Sequence, residues 1–178
     1  MVNNTYQHYI ELMQKIADIQ FAAAVLQWDQ ETYLPAKGAK YRSQQIATLS
    51  GIAHDLFVTD EMGELLNKLS EDNTLSAPEK ANIRESLKDY NKEKKYTTEF
   101  VINLNKAISK AFQAWHTAKE KNDFQLFKKP LDTILSFKRE ETEILGYKEH
   151  PYDALLDQYE PNSSCKEIDA VFIDVRNE

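Results

Sequence analysis

The chain has 178 residues, of which 42% are hydrophobic and 29% are charged, and this balance is typical of a folded globular protein. Its 22 basic and 29 acidic side chains give a net charge of −7, which argues against non-specific binding to nucleic acid. No apolar run approaches the roughly 20 residues that cross a bilayer, and the N-terminus lacks the pattern of a signal peptide. We therefore expect one cytoplasmic domain over residues 1–178 that binds neither nucleic acid nor a membrane.

The first third of the chain shows three successive helical patterns. Apolar residues recur at helical spacing over residues 6–28, and Pro35 and Gly38 end this segment. A second apolar stripe follows over residues 46–56. Thr59 is suited to cap a short third helix, because its hydroxyl can accept a backbone N–H.

Two further helices are predicted in the middle of the chain. Ser76 and Glu79 form a capping box, with a proline in the first turn, and this pattern predicts the start of the fourth helix. A fifth helix begins near Thr97 and carries apolar residues as far as Trp115.

The C-terminal segments are also predicted to be helical. Asp123 is a candidate cap for a helix that ends at Gly146, and Pro130 is expected to break or restart it. Ser164 and Glu167 form a second capping box, which opens the last helix. That helix has no stop signal, so we expect that a longer protein has been cut.

Because no segment alternates apolar and polar residues with period two, the predicted fold class is all-α, with seven or eight helices and no sheet.

The histidines offer no recognisable zinc motif. No HExxH is present, so no helix presents two imidazoles one turn apart. We expect each histidine to lie at the surface or between helices, and His150, which precedes Pro151, to lie in an extended turn. The four histidines are His8, His54, His116 and His150.

Cys165 is the single cysteine, which excludes an internal disulfide and a cysteine-rich metal site. A helix N-terminus lowers a thiol pKa, but without a positioned base we interpret this cysteine as an ordinary helix residue. Ser163 and Ser164 are interpreted as caps, since no G-x-S-x-G surrounds them.

The segment that contains Trp28 combines an aromatic ring with two acids. Asp29 and Glu31 are separated by about 200° around a helix, so they do not form a facing carboxylate pair. We expect Trp28 to pack in the core and Asp29 to bond to Arg42 or Tyr41.

The charged run KREETE, residues 138–143, is interpreted as a solvated helix face. Composition and spacing therefore predict a helical chain with no catalytic, cofactor-binding or metal-binding residue of its own.

Four stretches nevertheless match one family in order. They are WDQETYLP (28–35), GAKYRSQQIATLSGIAHDLF (38–57), AWHTAKEKNDFQLFKKPLDTILSFKREETEILGY (114–147) and HPYDALLDQYEP (150–161). Together they resemble segments of the carboxypeptidase Taq family of thermostable metallocarboxypeptidases. Ala36 stands where that family often has a second proline, and Asn162 where it commonly has a glycine, so the geometry of these two loops is in question.

The resemblance implies that this chain is the N-terminal portion of a larger, zincin-like helical enzyme with a deep substrate groove. Members hold zinc or cobalt on an HExxH helix and a later glutamate, release single amino acids from peptide C-termini, and commonly form homodimers. Every metal ligand, general base and carboxylate-binding group of the family lies beyond position 178. The resemblance therefore predicts an inactive fragment that contributes one wall of the groove.

Two alternatives remain open at this point. The chain could be a self-contained helical scaffold or interaction module without catalytic function. Alternatively, any exposed apolar face could simply be an interface that truncation has uncovered, which would favour self-association.

Overall fold

The protein is described by a computed structural model over residues 4–177, without the side chains of Ala36, Asp174 and Asn177. Its regular elements in this range are eight α-helices and one short 3-10 helix, so the all-α prediction is confirmed. The elements are α1 (Asn4–Thr32), the 3-10 helix (Ala36–Gly38), α2 (Ala39–Phe57), α3 (Asp60–Ser70), α4 (Ala77–Glu93), α5 (Thr98–Glu120), α6 (Gln125–Leu145), α7 (Pro151–Leu156) and α8 (Cys165–Asn177).

The predicted caps position the helix starts. The Thr59 hydroxyl accepts the backbone N–H of Met62 at 3.2 Å, and the Thr97 hydroxyl accepts that of Phe100 at 3.1 Å. The capping boxes predicted at the starts of α4 and α8 are both formed. Each cap satisfies a backbone donor that the first turn leaves without an intrahelical partner.

The prediction that Pro130 breaks or restarts a helix is wrong, because α6 runs through it without interruption. Proline removes only one backbone donor, and the rest of the long helix packs along α5 and continues past it. The N-cap of α6 is Phe124, one residue after the predicted Asp123, although the Asp123 carboxylate does accept the backbone N–H of Gln125 at 3.0 Å. The short helix α7 was not predicted, since six residues are too few to show a period.

The helices are arranged as a series of neighbours. α1 packs against α2 and α3, α3 against α4, and α2 against α5, while α6 lies between α5 and α7. The main apolar core lies where α1, α3 and α4 meet. Its buried members are Tyr9, Ile16, Ala53, Met62, Leu65, Leu66, Leu69, Leu75, Ile83 and Tyr90. None of the described helices is long and apolar enough to cross a membrane.

Two loop positions adopt left-handed backbone conformations that bear on the family resemblance. Gly146 ends α6 with a φ of 80°, and Asn162 has a φ of 66° in the loop before α8. Asparagine tolerates this region better than most residues, so Asn162 can occupy a turn that commonly carries glycine.

Candidate functional site

The corner between α1 and α2 is held by one ion pair. Arg42, on α2, donates through Nη1 to Asp29 Oδ2 and to the Leu26 carbonyl oxygen, the latter at 3.0 Å. Both charged side chains are largely shielded from solvent, so the contact ties the end of α1 to the start of α2. The predicted Asp29–Arg42 pairing is confirmed, whereas Tyr41 is exposed and takes no part in it.

The two acids of this corner do not act together. Glu31 accepts a hydrogen bond from Gln27 Nε2 at 3.3 Å on the exposed side of α1, away from the Asp29–Arg42 pair. Gln30, between the two acids, is buried, and its Oε1 has no partner among the described residues. The corner therefore offers no carboxylate pair for acid–base chemistry.

The prediction that Trp28 packs in the core is wrong. The residue is 58% exposed, and its ring contacts Tyr33 edge-on with 5.4 Å between the ring centroids. Val25 and Phe21 are exposed one and two turns earlier on the same face of α1. We call Phe21, Val25 and Trp28 the α1 ridge. Helical periodicity shows that such residues share a face, but it does not show whether that face is covered.

Because Trp28 is exposed, we expect Trp28→Ala to change the free energy of unfolding of this chain by less than about 1.5 kcal/mol, mainly through the lost contact with Tyr33. Urea denaturation followed by circular dichroism measures this change. Tyr33→Ala is the matched control and should give a similar loss. A loss above about 3 kcal/mol for Trp28→Ala would mean that the ring is buried after all.

Three of the histidines have structural roles. His8 and His116 are exposed and lie 2.9 and 3.6 Å from Glu61 and Glu120. His54 is buried, and its Nε2 lies 3.1 Å from the Glu93 backbone carbonyl oxygen. It therefore links α2 to the end of α4, as an interhelix histidine is expected to do.

A cavity of about 420 Å³ lies beside His54, between α1, α2, α4 and α5. The carboxyl groups of Asp89 and Glu93 also line it. Burial raises the pKa of Glu93, so its negative charge opposes folding at neutral pH. Ser50 also lines the cavity, but its hydroxyl makes no hydrogen bond to His54, so the cavity has no complete catalytic arrangement.

His150, Asp153 and Cys165 form a cluster that the sequence did not predict. Their ligand-type atoms lie within 4.8 Å of one another, with the Cys165 sulfur 3.4 Å from His150 Nδ1. His150 precedes the proline at the start of α7 in an extended conformation, as predicted. The expectation that Cys165 has no base nearby is wrong, because the start of α8 packs beside the start of α7 in the folded chain.

Two side-chain atoms of this cluster already accept hydrogen bonds from backbone N–H groups. His150 Nδ1 accepts the Tyr152 N–H at 3.1 Å, and Asp153 Oδ1 accepts the Cys165 N–H at 2.8 Å. A hydrogen bond to Asp153, burial and nearby acids raise the pKa of the Cys165 thiol to about 11, although it lies at a helix N-terminus. The thiol is therefore neutral at pH 7, and the Nδ1 lone pair already accepts a hydrogen bond, so the cluster as it stands is not a nucleophilic dyad.

The interpretation of residues 138–143 as a solvated face is wrong for Glu141, which is only 4% exposed. Its carboxylate accepts hydrogen bonds from Tyr96 Oη at 3.1 Å, Gln158 Nε2 at 3.2 Å and Lys138 Nζ at 2.6 Å. Burial and the contact with Glu141 also raise the pKa of Tyr96. The network joins α6 to the turn before α5 and to the loop after α7.

A signal for this network exists in the sequence. Glu141 lies seven residues after Ile134 and four before Leu145, and therefore falls on the apolar stripe of α6. An acid on an apolar stripe indicates a buried carboxylate with partners, because an unpaired one is costly.

A family model described as "Carboxypeptidase Taq (M32) metallopeptidase" matches residues 8–178. The chain belongs to this family.

The M32 relatives extend well beyond the matched region. Carboxypeptidase 1 of Bacillus subtilis (strain 168) is 34% identical over 179 aligned residues, which cover 97% of this chain and 35% of that protein. Thermostable carboxypeptidase 1 of Pyrococcus furiosus is 32% identical, with 96% of this chain and 34% of that protein covered. The chain thus spans about a third of the length of these relatives.

A solved crystal structure named BsuCP matches this fold with a TM-score of 0.95 and 32% identity. The match covers 98% of this chain and 35% of that chain.

The stretches that resemble the M32 family contain the tertiary ties described above. The Asp29–Arg42 pair, His54, Glu141 and the His150 cap all lie in them. These M32-like residues hold helices together in this chain.

Proposed function

We propose that residues 1–178 are the N-terminal domain of a metal-dependent carboxypeptidase that releases amino acids from the C-termini of peptides. The observation that carries this proposal is the contrast between two lengths. The family model matches almost the whole chain, whereas the chain spans about a third of its relatives. Nothing in these matches favours a self-contained scaffold.

In this proposal, the domain forms one wall of the substrate groove and packs against the rest of the enzyme. The α1 ridge supports this role, because three large apolar side chains are exposed together on one helix face. A surface of this kind is suited to bury apolar area against another part of a longer protein. The Asp29–Arg42 ion pair fixes the C-terminal end of α1, which carries the α1 ridge, relative to α2.

The catalytic step is assigned to the part of the enzyme beyond residue 178, since no HExxH occurs in this chain. There, zinc or cobalt would polarise the scissile carbonyl group and activate a water molecule. The cytoplasm is the proposed location of the enzyme and a homodimer its proposed assembly. This chain alone is expected to be inactive.

The test compares this chain with its full-length parent, each assayed on a blocked dipeptide with added Zn²⁺ or Co²⁺. We expect metal-dependent release of the C-terminal amino acid by the parent and none by residues 1–178. A parent in which the glutamate of the HExxH motif is replaced by glutamine is the control for contaminating peptidases. Turnover by the fragment, or a parent whose activity survives metal removal, would contradict the proposal.

A further inference from the structure

A groove lies between the N-terminal half of α2 and the middle of α5. It has a cavity volume of about 560 Å³, which is within the range of small-molecule sites. Lys40, Ser43 and Gln44 line it from α2, where their spacing places them on one side of the helix. We call this feature the α2–α5 groove.

The α5 side of the groove presents a similar set of side chains. Lys106 and Lys110 lie one turn apart, and Ser109 and Gln113 lie one turn apart beside them. Ser109 is buried, so the groove reaches below the surface layer of exposed lysines. Both walls thus combine lysine side chains with serine and glutamine side chains.

The charge in the groove is of one sign. Lys40, Lys106 and Lys110 line it, and no acidic side chain does so among the described residues. This is a local exception in a chain whose net charge is −7. A cluster of basic side chains without an acidic neighbour favours the approach of an anion.

The polar side chains that line the groove make no ion pairs or side-chain hydrogen bonds with the described residues. Within the described part of the chain, none of the three lysine ammonium groups makes an ion pair, although ion pairs occur elsewhere. The hydroxyl groups of Ser43 and Ser109 and the side-chain amides of Gln44 and Gln113 likewise have no hydrogen-bond partner among the described groups. They can therefore donate hydrogen bonds to a ligand without first breaking a contact within the protein.

We propose that the α2–α5 groove binds a small polyanion, a ligand that carries at least two negative charges on phosphate or carboxylate oxygens. Lysine binds such groups as a point charge, and the serine and glutamine side chains supply neutral donors beside it. The site uses no group from the peptidase chemistry, so it does not depend on the proposed function.

The test measures binding of two probes, inorganic pyrophosphate and citrate, to the 178-residue chain by isothermal titration calorimetry at low ionic strength. The groove variant is K40Q/K106Q/K110Q. The matched control is K15Q/K68Q/K128Q, which removes the same charge from exposed lysines on α1, α3 and α6. All six side chains are exposed, so we expect both variants to fold, and circular dichroism melting checks this.

We expect one molecule of probe to bind per chain and the groove variant to lose at least about tenfold in affinity, because three weak charge contacts act on one anion. The control variant should stay within about threefold of the unaltered chain, since its charges are distant and screened. Binding of pyrophosphate alone indicates a phosphate-bearing ligand, and binding of citrate alone indicates a polycarboxylate. Binding of both supports a general oxyanion site.

The proposal is overturned if neither probe binds. It is also overturned if the groove and control variants lose the same affinity, since the effect would then come from net charge. The peptidase assay of the parent enzyme does not depend on anion binding by this groove. Either proposal can therefore fail without the other.

Discussion

Replacing Glu141 by alanine is expected to lower the free energy of unfolding by about 3 kcal/mol, because the change leaves buried donors without their acceptor. The carboxylate is 4% exposed and accepts three hydrogen bonds, from Tyr96, Gln158 and Lys138. The Lys138 ammonium group can turn towards solvent, but the Tyr96 hydroxyl group is buried and has no other acceptor among the described groups. Most of the loss therefore comes from the tyrosine side of the network.

Urea denaturation measures this loss, and Glu140→Ala, at the exposed neighbouring position, is the matched control. The control should change the free energy of unfolding by less than about 0.5 kcal/mol. Glu141→Gln, which keeps an acceptor for Tyr96, should fall between the two. Equal effects for Glu141→Ala and Glu140→Ala would contradict the buried network.

Replacing Leu66 by alanine is expected to destabilise the chain by about 3–4 kcal/mol, through lost apolar burial and a residual cavity. Leu66 is 0% exposed on α3, in the core where α1, α3 and α4 meet. The neighbouring side chains Met62 and Leu69 come from the same short helix, so collapse of the cavity would require α3 to move.

Leu135→Ala removes the same atoms from α6 at a position that is 44% exposed, and it serves as the control. Its expected loss is about 1 kcal/mol, because much of the side chain is already in water. Thermal and urea denaturation should rank the two variants in the same order. A larger loss at Leu135 than at Leu66 would place the core elsewhere.

Local rules predicted the helix starts and the α1–α2 corner. Thr59, Ser76 and Thr97 cap as expected because a cap involves residues only a few positions apart. The pairing of Asp29 with Arg42 followed from an acid at the end of one helix and a base at the start of the next. Such contacts depend little on the rest of the fold.

The failed predictions concern contacts between distant parts of the chain. Trp28 was expected to be buried and is exposed, whereas Glu141 was expected to be solvated and is buried. Periodicity defines the faces of a helix, but the neighbouring helices decide which face is covered. The meeting of His150 with Cys165 depends in the same way on how the loop after α7 returns.

By itself, the sequence determined that the chain is helical, where most helices begin, and which family its motifs resemble. These properties depend on short motifs and on spacings of a few residues, which can be read directly from the sequence. Only the tertiary structure decided that the α1 ridge is exposed, that Glu141 is buried among three donors, and that three lysines face one groove. The exposure of a side chain and the clustering of charges depend on neighbours that are far apart in sequence. Both are therefore decided only when the helices pack together.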